Sequence, residues 1–190
     1  MADTDEILMQ AVREGDVSKL AALFERHHRV LYDFFARLTG SRTIADDLVQ
    51  DVFFRILKYR KTYRDNRRFR AWMFHIARNA RVDYVRRNSC ESRPPENGIP
   101  IESAQPLPEQ EIEHLQQADL LECALFRLSE EKREVLILSR YEDMKYEEIA
   151  DLIGCSIGTV KVRVHRALKE LREIFFKMSR EKPLCDVKKS

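Results

Sequence analysis

The chain has few of the residues that break helices. Of its 190 residues only five are glycine and six are proline, and five of those prolines fall within residues 89–108. Elsewhere the breaks are short, which leaves a helix-rich chain. Cysteine is also sparse: Cys90, Cys123, Cys155 and Cys185 lie about thirty residues apart, with no C-x-x-C and no His pair beside them. That spacing argues against a zinc site, and the dispersed thiols suit a reducing cytoplasm better than a disulfide framework. No apolar run is long enough to span a bilayer. The opening MADTDEILMQ is acidic and lacks the basic-then-apolar layout of a secretory signal. No stretch alternates with period two for long enough to argue for strands. The expectation is a cytoplasmic, all-α protein.

The first ninety residues read as helices almost throughout. Asp5 to Glu14 is a short one, broken at Gly15-Asp16, and a second runs from about Val17 to Leu38 and stops at Gly40. Thr43 is the expected cap of a third, carrying Ile44, Leu48, Val52, Phe53, Ile56 and Leu57, with Asp46 and Asp47 in its first turn to complement the dipole. After the polar turn RDNRR, a fourth runs from about Phe69 to Arg87. The stretch SCESRPPENGIPIESAQPLP has no amphipathic period and reads as a linker. Helices resume with EQEIEHLQQADLLECALFRL and SEEKREVLILSRYE, where Ser129 is the expected cap.

A net charge of +2 hides a segregation. From Arg55 to Arg87 there are twelve Lys or Arg against Asp65 and Asp83, and from Ile157 to Arg172 five against Glu170 alone. Between them, Glu91 to Glu122 holds eight acids against Arg93. Two dense basic patches flanking an acidic joint read as footprints of a polyanion. Solvated helix faces without a partner are the plainer alternative.

The stretch EEIADLIGCSIGTVKVRVHRAL sharpens this. Ile157, Val160, Val164, Leu168 and Leu171 make one apolar face, while Lys161, Arg163, Arg166, Lys169 and Arg172 fall between them. Ala150 supplies a small residue where two helices cross, Gly154 a corner that tolerates positive φ, and Val160 a plug for the angle. Ser156 can cap the second helix, which leaves its first turns free to enter a major groove. The other patch, FRAWMFHIARNARVDYVRR, interleaves Phe69, Trp72, Phe74 and Tyr84 with arginines. Rings stack on unpaired bases and arginines hold backbone, and Asn79 can read a base edge. The competing reading makes Trp72, Ile76 and Tyr84 core, which leaves the arginines of the opposite face unexplained.

On these three stretches, with ADDLVQDVFFRILKY, the chain resembles an extracytoplasmic-function (group IV) sigma factor, the minimal class of the bacterial sigma-70 family, over about Ile7 to Phe175. The resemblance implies two small helical domains joined by a flexible acidic linker. Domain 2 would span 1–88, the linker 89–117, the helix-turn-helix domain 4 118–176 and a tail 177–190. It implies that Asp47, Gln50, Asp51 and Arg55 dock on the clamp helices of core RNA polymerase, with the flap as a further polymerase contact and Leu48 and Val52 turned inward. Tyr63, Arg64, Asn66, Arg67, Arg68, His75, Arg78, Asn79 and Arg81 would capture unpaired −10 DNA, where a pocket for an extruded base converts recognition into strand opening. Ser156, Thr159, Lys161, Val162, Arg163, His165 and Arg166 would read the −35 duplex. Lys145 stands where a capping Ser, Thr or Pro is common in the family. Promoter DNA, core polymerase and an anti-sigma factor are the implied partners, with no cofactor, metal, small-molecule substrate or catalysis.

Three rivals are weaker. A repressor would need a dimerisation or ligand segment, and it leaves the aromatic basic helix idle. A sigma mimic that never touches DNA would not need basic residues on both readers. An enzyme could hold Mg²⁺ with Asp46, Asp47 and Asp51, but no base or nucleophile accompanies them.

Overall fold

A computed structural model describes residues 4–64, 68–88 and 109–181. Among these, every regular element is helical. Asn66, Arg67, the part of the expected linker over 89–108, Cys90, Cys185 and the part of the expected tail over 182–190 lie outside the described residues.

The chain divides into two compact units. The first holds α1 (Asp5–Glu14), α2 (Lys19–Thr39), α3 (Arg42–Tyr59), a 3-10 turn (Arg60–Thr62) and α4 (Phe69–Asn88), and Asp151–Gly154 group with it. Helix α2 stops where Gly40 turns left-handed at φ 73° and donates its N–H to the Ala36 carbonyl, a conformation that costs a residue with a Cβ about 1–2 kcal/mol. The cap of α3 is not the expected Thr43. The helix starts at Arg42, and Ser41 Oγ accepts the Ile44 N–H at 3.4 Å. Asp46 and Asp47 therefore sit beyond the first turn, which contains no acid, so their complement to the helix dipole is weaker than expected.

Leu23, Leu31, Phe34 and Phe35 of α2, Leu48, Val52 and Ile56 of α3, and Phe69, Met73, Phe74 and Ala77 of α4 are buried together. Removing a large apolar side chain of this kind from water contributes about 1.5–3 kcal/mol. Phe34 and Phe74 meet edge to face with centroids 5.2 Å apart, the arrangement that ring quadrupoles favour.

The second unit contains α5 (Glu109–Phe126), α6 (Glu130–Leu136) and a π turn (Ile137–Tyr141). Helix α5 begins inside the expected linker, at Glu109. Ser129 occupies the N-cap of α6, yet its side chain makes no capping bond. Instead Arg133 closes the corner, donating to the Phe126 and Leu128 carbonyls at 2.9 and 3.2 Å, with its guanidinium over the Phe126 ring. The expected helix over SEEKREVLILSRYE is present, and its second half widens into the π turn: the Glu142 N–H reaches back to the Ile137 carbonyl and Met144 to Leu138, both at 3.0 Å.

The helix-turn-helix follows, as α7 (Tyr146–Ile153) and α8 (Ile157–Glu181). Lys145 has no capping oxygen for the first-turn N–H groups, and the bond made at this end satisfies its own N–H instead. Glu148 reaches back to the Lys145 N–H at 3.1 Å, the reverse half of a capping box. Lys132 of α6 pairs with Glu170 of α8. Helix α8 runs to Glu181, past the expected domain end at 176. No described helix is long and apolar enough to cross a membrane.

Candidate nucleic-acid interface

The corner between α7 and α8 has the geometry its sequence suggested. Gly154 lies at φ 75°, and a Cβ built there meets nothing within 4 Å, so the requirement is conformational and not one of space. Ser156 Oγ accepts the Thr159 N–H at 3.2 Å and contacts Thr159 Oγ1 at 2.9 Å, which ties one of the first free N–H groups of α8. Val160, Val164 and Ala167 are fully inside, as are Ile149, Ala150 and Leu152 of α7. The opposite stripe carries Lys161, Val162, His165 and Arg166, all exposed, with Thr159 and Arg163 half-buried beside them. Lys161 and Arg166, with Arg163 beside them and no acid among these positions, make this a face for anions.

Helix α4 sorts the second basic patch differently. His75, Arg78 and Asn79 share one stripe with Val82 and Arg86, where Asn79 and Val82 are exposed. The rings that suggested base stacking mostly point the other way: Phe69, Trp72 and Phe74 are buried, which leaves only half-buried Tyr84 from that set. Two expected DNA residues are also interior. Tyr63 is 2% exposed and Arg81 6%. The Tyr63 ring meets Trp72 at 5.2 Å and Phe69 at 6.4 Å, so it packs against the start of α4. Arg64 and Arg68, on the two flanks of that segment, are exposed.

The acidic face of α3 splits in two. Asp47 and Gln50 are exposed, whereas Asp51 and Arg55 are half-buried and engaged. Arg55 Nε donates to both Asp51 carboxylate oxygens at 3.1 and 3.0 Å, and its Nη1 donates to Asp83 of α4 at 2.8 Å. Arg86 adds a contact to Asp83 at 3.3 Å. Burial would lower the Arg55 pKa, but the hydrogen bonds to Asp51 and Asp83 outweigh it and hold the guanidinium above its ordinary value. In return the Arg55 hydrogen bond holds the Asp83 carboxyl below its usual range. Two of the four residues expected to dock on a partner therefore bridge α3 to α4. Among the described residues, no cluster of three His, Cys, Asp or Glu could hold a metal ion.

Two residues of this region escaped the sequence reading. Phe54, 64% exposed, stands on the same stripe of α3 as Asp47, Gln50 and Asp51, where an apolar ring amid polar neighbours is the usual anchor of a protein interface. Tyr59 is exposed at the end of α3 and lines a shallow depression with Arg55, Ile76, Asn79, Val82 and Asp83. Counting by three and four from Asp47 along the sequence would have found Phe54.

Comparison with known proteins adds an independent line. Residues 23–90 match the family model for sigma-70 region 2, and residues 118–171 match that for sigma-70 region 4. The RNA polymerase sigma factor CarQ of Myxococcus xanthus is 29% identical over 91% of this chain and 98% of its own. The ECF RNA polymerase sigma factor SigL of Mycobacterium tuberculosis is 34% identical over 83% of this chain and 89% of its own. Among solved structures, CnrH in complex with the cytosolic domain of CnrY superposes with a TM-score of 0.68 at 27% identity, covering 92% of this chain and 99% of that one. RpoE of Bartonella quintana, crystallised with the anti-sigma factor NepR, gives 0.68 at 26% identity over 81% and 94%.

Proposed function

The chain belongs to the extracytoplasmic-function class of the sigma-70 family, and from that premise we propose how it confers promoter specificity on RNA polymerase. The N-terminal helices α1 to α4 dock on core polymerase and capture unpaired −10 DNA. The helix-turn-helix of α7 and α8 reads the −35 duplex. The observation that carries this division is the contrast between the two basic faces. The α8 stripe of Lys161, Val162, His165 and Arg166 is exposed on a 25-residue helix behind a tight corner, an arrangement that fits a major groove. The α4 stripe of His75, Arg78 and Asn79 instead belongs to the same unit as the exposed Arg64 and Arg68, a set of donors suited to holding an extruded base and its backbone.

Docking falls to Asp47, Gln50 and Phe54, with Asp51 and Arg55 holding α3 against α4 so that this face and the −10 stripe keep a fixed register. Tyr63 and Arg81 act from inside the domain. The soluble or membrane-bound partner that restrains such a factor would be an anti-sigma protein, as NepR is in the RpoE complex.

Paired variants test the division of labour. Arg166→Ala should relax preference at a −35 position by about 1–3 kcal/mol and leave opening intact on a template whose −10 segment is already mismatched. Asn79→Ala should keep its defect on that template and lose −10 preference. Loss of preference in the same promoter element by both variants would refute the assignment.

A further inference from the structure

Helix α1 carries none of the expected DNA contacts, yet it supplies a hydrogen bond to each end of the segment between the 3-10 turn and α4. Arg13 Nη1 donates to the Tyr63 carbonyl at 3.3 Å, fifty residues away in sequence. Glu6 Oε1 accepts the Phe69 N–H at 3.3 Å, across 63 residues. Glu6 and Arg13 lie seven positions apart, so they share one face of α1 at a separation of about 10 Å along its axis. Met9, between them on that face, is fully buried.

The need for these bonds follows from the residues at the two ends. The Trp72 N–H donates to the Arg68 carbonyl, which makes Arg68 the N-cap of α4. An arginine side chain has donors only and cannot satisfy the free N–H groups of a first turn. Glu6 provides from another helix what Arg68 cannot, an acceptor and a negative charge at the positive end of α4. At the other end, Tyr63 leaves the 3-10 turn in an extended conformation at ψ 134°, and Arg13 holds its carbonyl. Helix α1 is itself tied down: Asp5, next to Glu6, receives Arg26 at 2.8 Å and meets His27 at 2.7 Å, both on α2. The His27 ring in turn lies 5.3 Å from the Phe69 ring.

We propose that α1 is a two-point brace for the −10 reader, with Glu6 and Arg13 as positioning residues that set −10 specificity without touching DNA. The proposal rests on the reading of Arg64, Arg68 and Asn79 as −10 contacts. With the brace in place, Tyr63 and Phe69 are held, and the exposed Arg64 and Arg68 next to them approach a base from fixed points. Without it, the same side chains sample more positions and discriminate less.

The test uses the full chain with core polymerase and a promoter library randomised across the −10 element, with transcripts sequenced from their 5′ ends. Glu6→Ala and Arg13→Ala should each reduce the enrichment of the preferred −10 base by about two- to tenfold, the effect of one lost hydrogen bond. Preference at −35 and capture of core polymerase should stay at the wild-type level. Glu6→Gln keeps an acceptor oxygen and Arg13→Lys a donor, so both should recover most of the −10 preference. The brace is refuted by wild-type −10 preference in the two alanine variants. It is equally refuted if −10 and −35 preferences decline in parallel, or if the Gln and Lys variants fall as far as the alanine ones. Asn79→Ala run alongside separates the two levels: unchanged −10 preference there would sink the parent reading, whereas a defect in Asn79→Ala with none in the alanine variants of Glu6 and Arg13 sinks the brace alone.

Discussion

Asp47 and Asp51 stand one helical turn apart on α3, and the structure assigns them opposite consequences when either is replaced by alanine. Asp51 accepts two bonds from Arg55 Nε and an ion pair from Nη2 at 3.0 Å, and the Arg55 side chain retains only 18% of its exposure. A bidentate, half-buried pair lies above the range of an exposed one and below that of a fully buried one, so Asp51→Ala should cost about 1–2 kcal/mol. For a domain of this size that lowers Tm by roughly 5–15 °C. Asp47 is exposed and takes part in no such bridge, so Asp47→Ala should change stability by no more than about 0.5 kcal/mol. Calorimetry of the full chain and pull-down of core polymerase read the two effects separately. Asp47→Ala should lose polymerase at an unchanged Tm, and Asp51→Ala should show the lowered Tm whether or not binding is retained. If Asp51→Ala melts like the wild type, the Asp51–Arg55 pair contributes nothing and the division of the acidic face is wrong.

Three further outcomes follow. Burial would raise the Asp5 carboxyl, but hydrogen bonds from Arg26 and His27 prevail and hold it below its ordinary value. Its stabilisation is therefore complete above the unfolded pKa of about 3.9 and is lost as pH falls through the lower folded value. The Tm difference between wild type and Asp5→Asn should shrink on acidification in that window, and a constant difference would contradict the tie. Gly154→Ala should cost about 1–2 kcal/mol from backbone strain alone, with Asn in the same place costing less because it tolerates the left-handed region; equal melting curves for Ala and Asn would argue against that cause. Phe54→Ala should weaken capture of core polymerase by at least about 1 kcal/mol at unchanged Tm, and unchanged capture would remove Phe54 from the docking face.

Much of this was legible without coordinates because the relevant signals are local. Gly40 and Gly154 mark helix ends through a backbone preference that depends on no distant residue, and the period of Val160 and Val164 assigns the inner and outer faces of α8. The same period, applied to α4, would have turned Arg81 inward, since it follows buried Phe74 and Ala77 by seven and four positions; its charge suggested the surface instead. Tyr63 sits outside any periodic segment, so nothing local reveals its burial against Trp72. The cap of α3 was missed because Ser41 and Thr43 are equally good acceptors, and only the path of the chain chooses Ser41. Contacts such as Arg55 with Asp83, or Glu6 with Phe69, join residues 28 and 63 apart. They depend on how helices pack, which no single stretch encodes.

The central claim, that this chain directs polymerase to promoters of one kind, is tested most directly by multi-round transcription of genomic fragments with purified core polymerase, followed by sequencing of transcript 5′ ends. The account predicts that adding the chain produces new start sites preceded by one shared bipartite motif, with the free chain binding those promoters weakly. Absence of new start sites, together with tight sequence-specific binding of duplex DNA by the chain alone, would contradict it and point to a repressor.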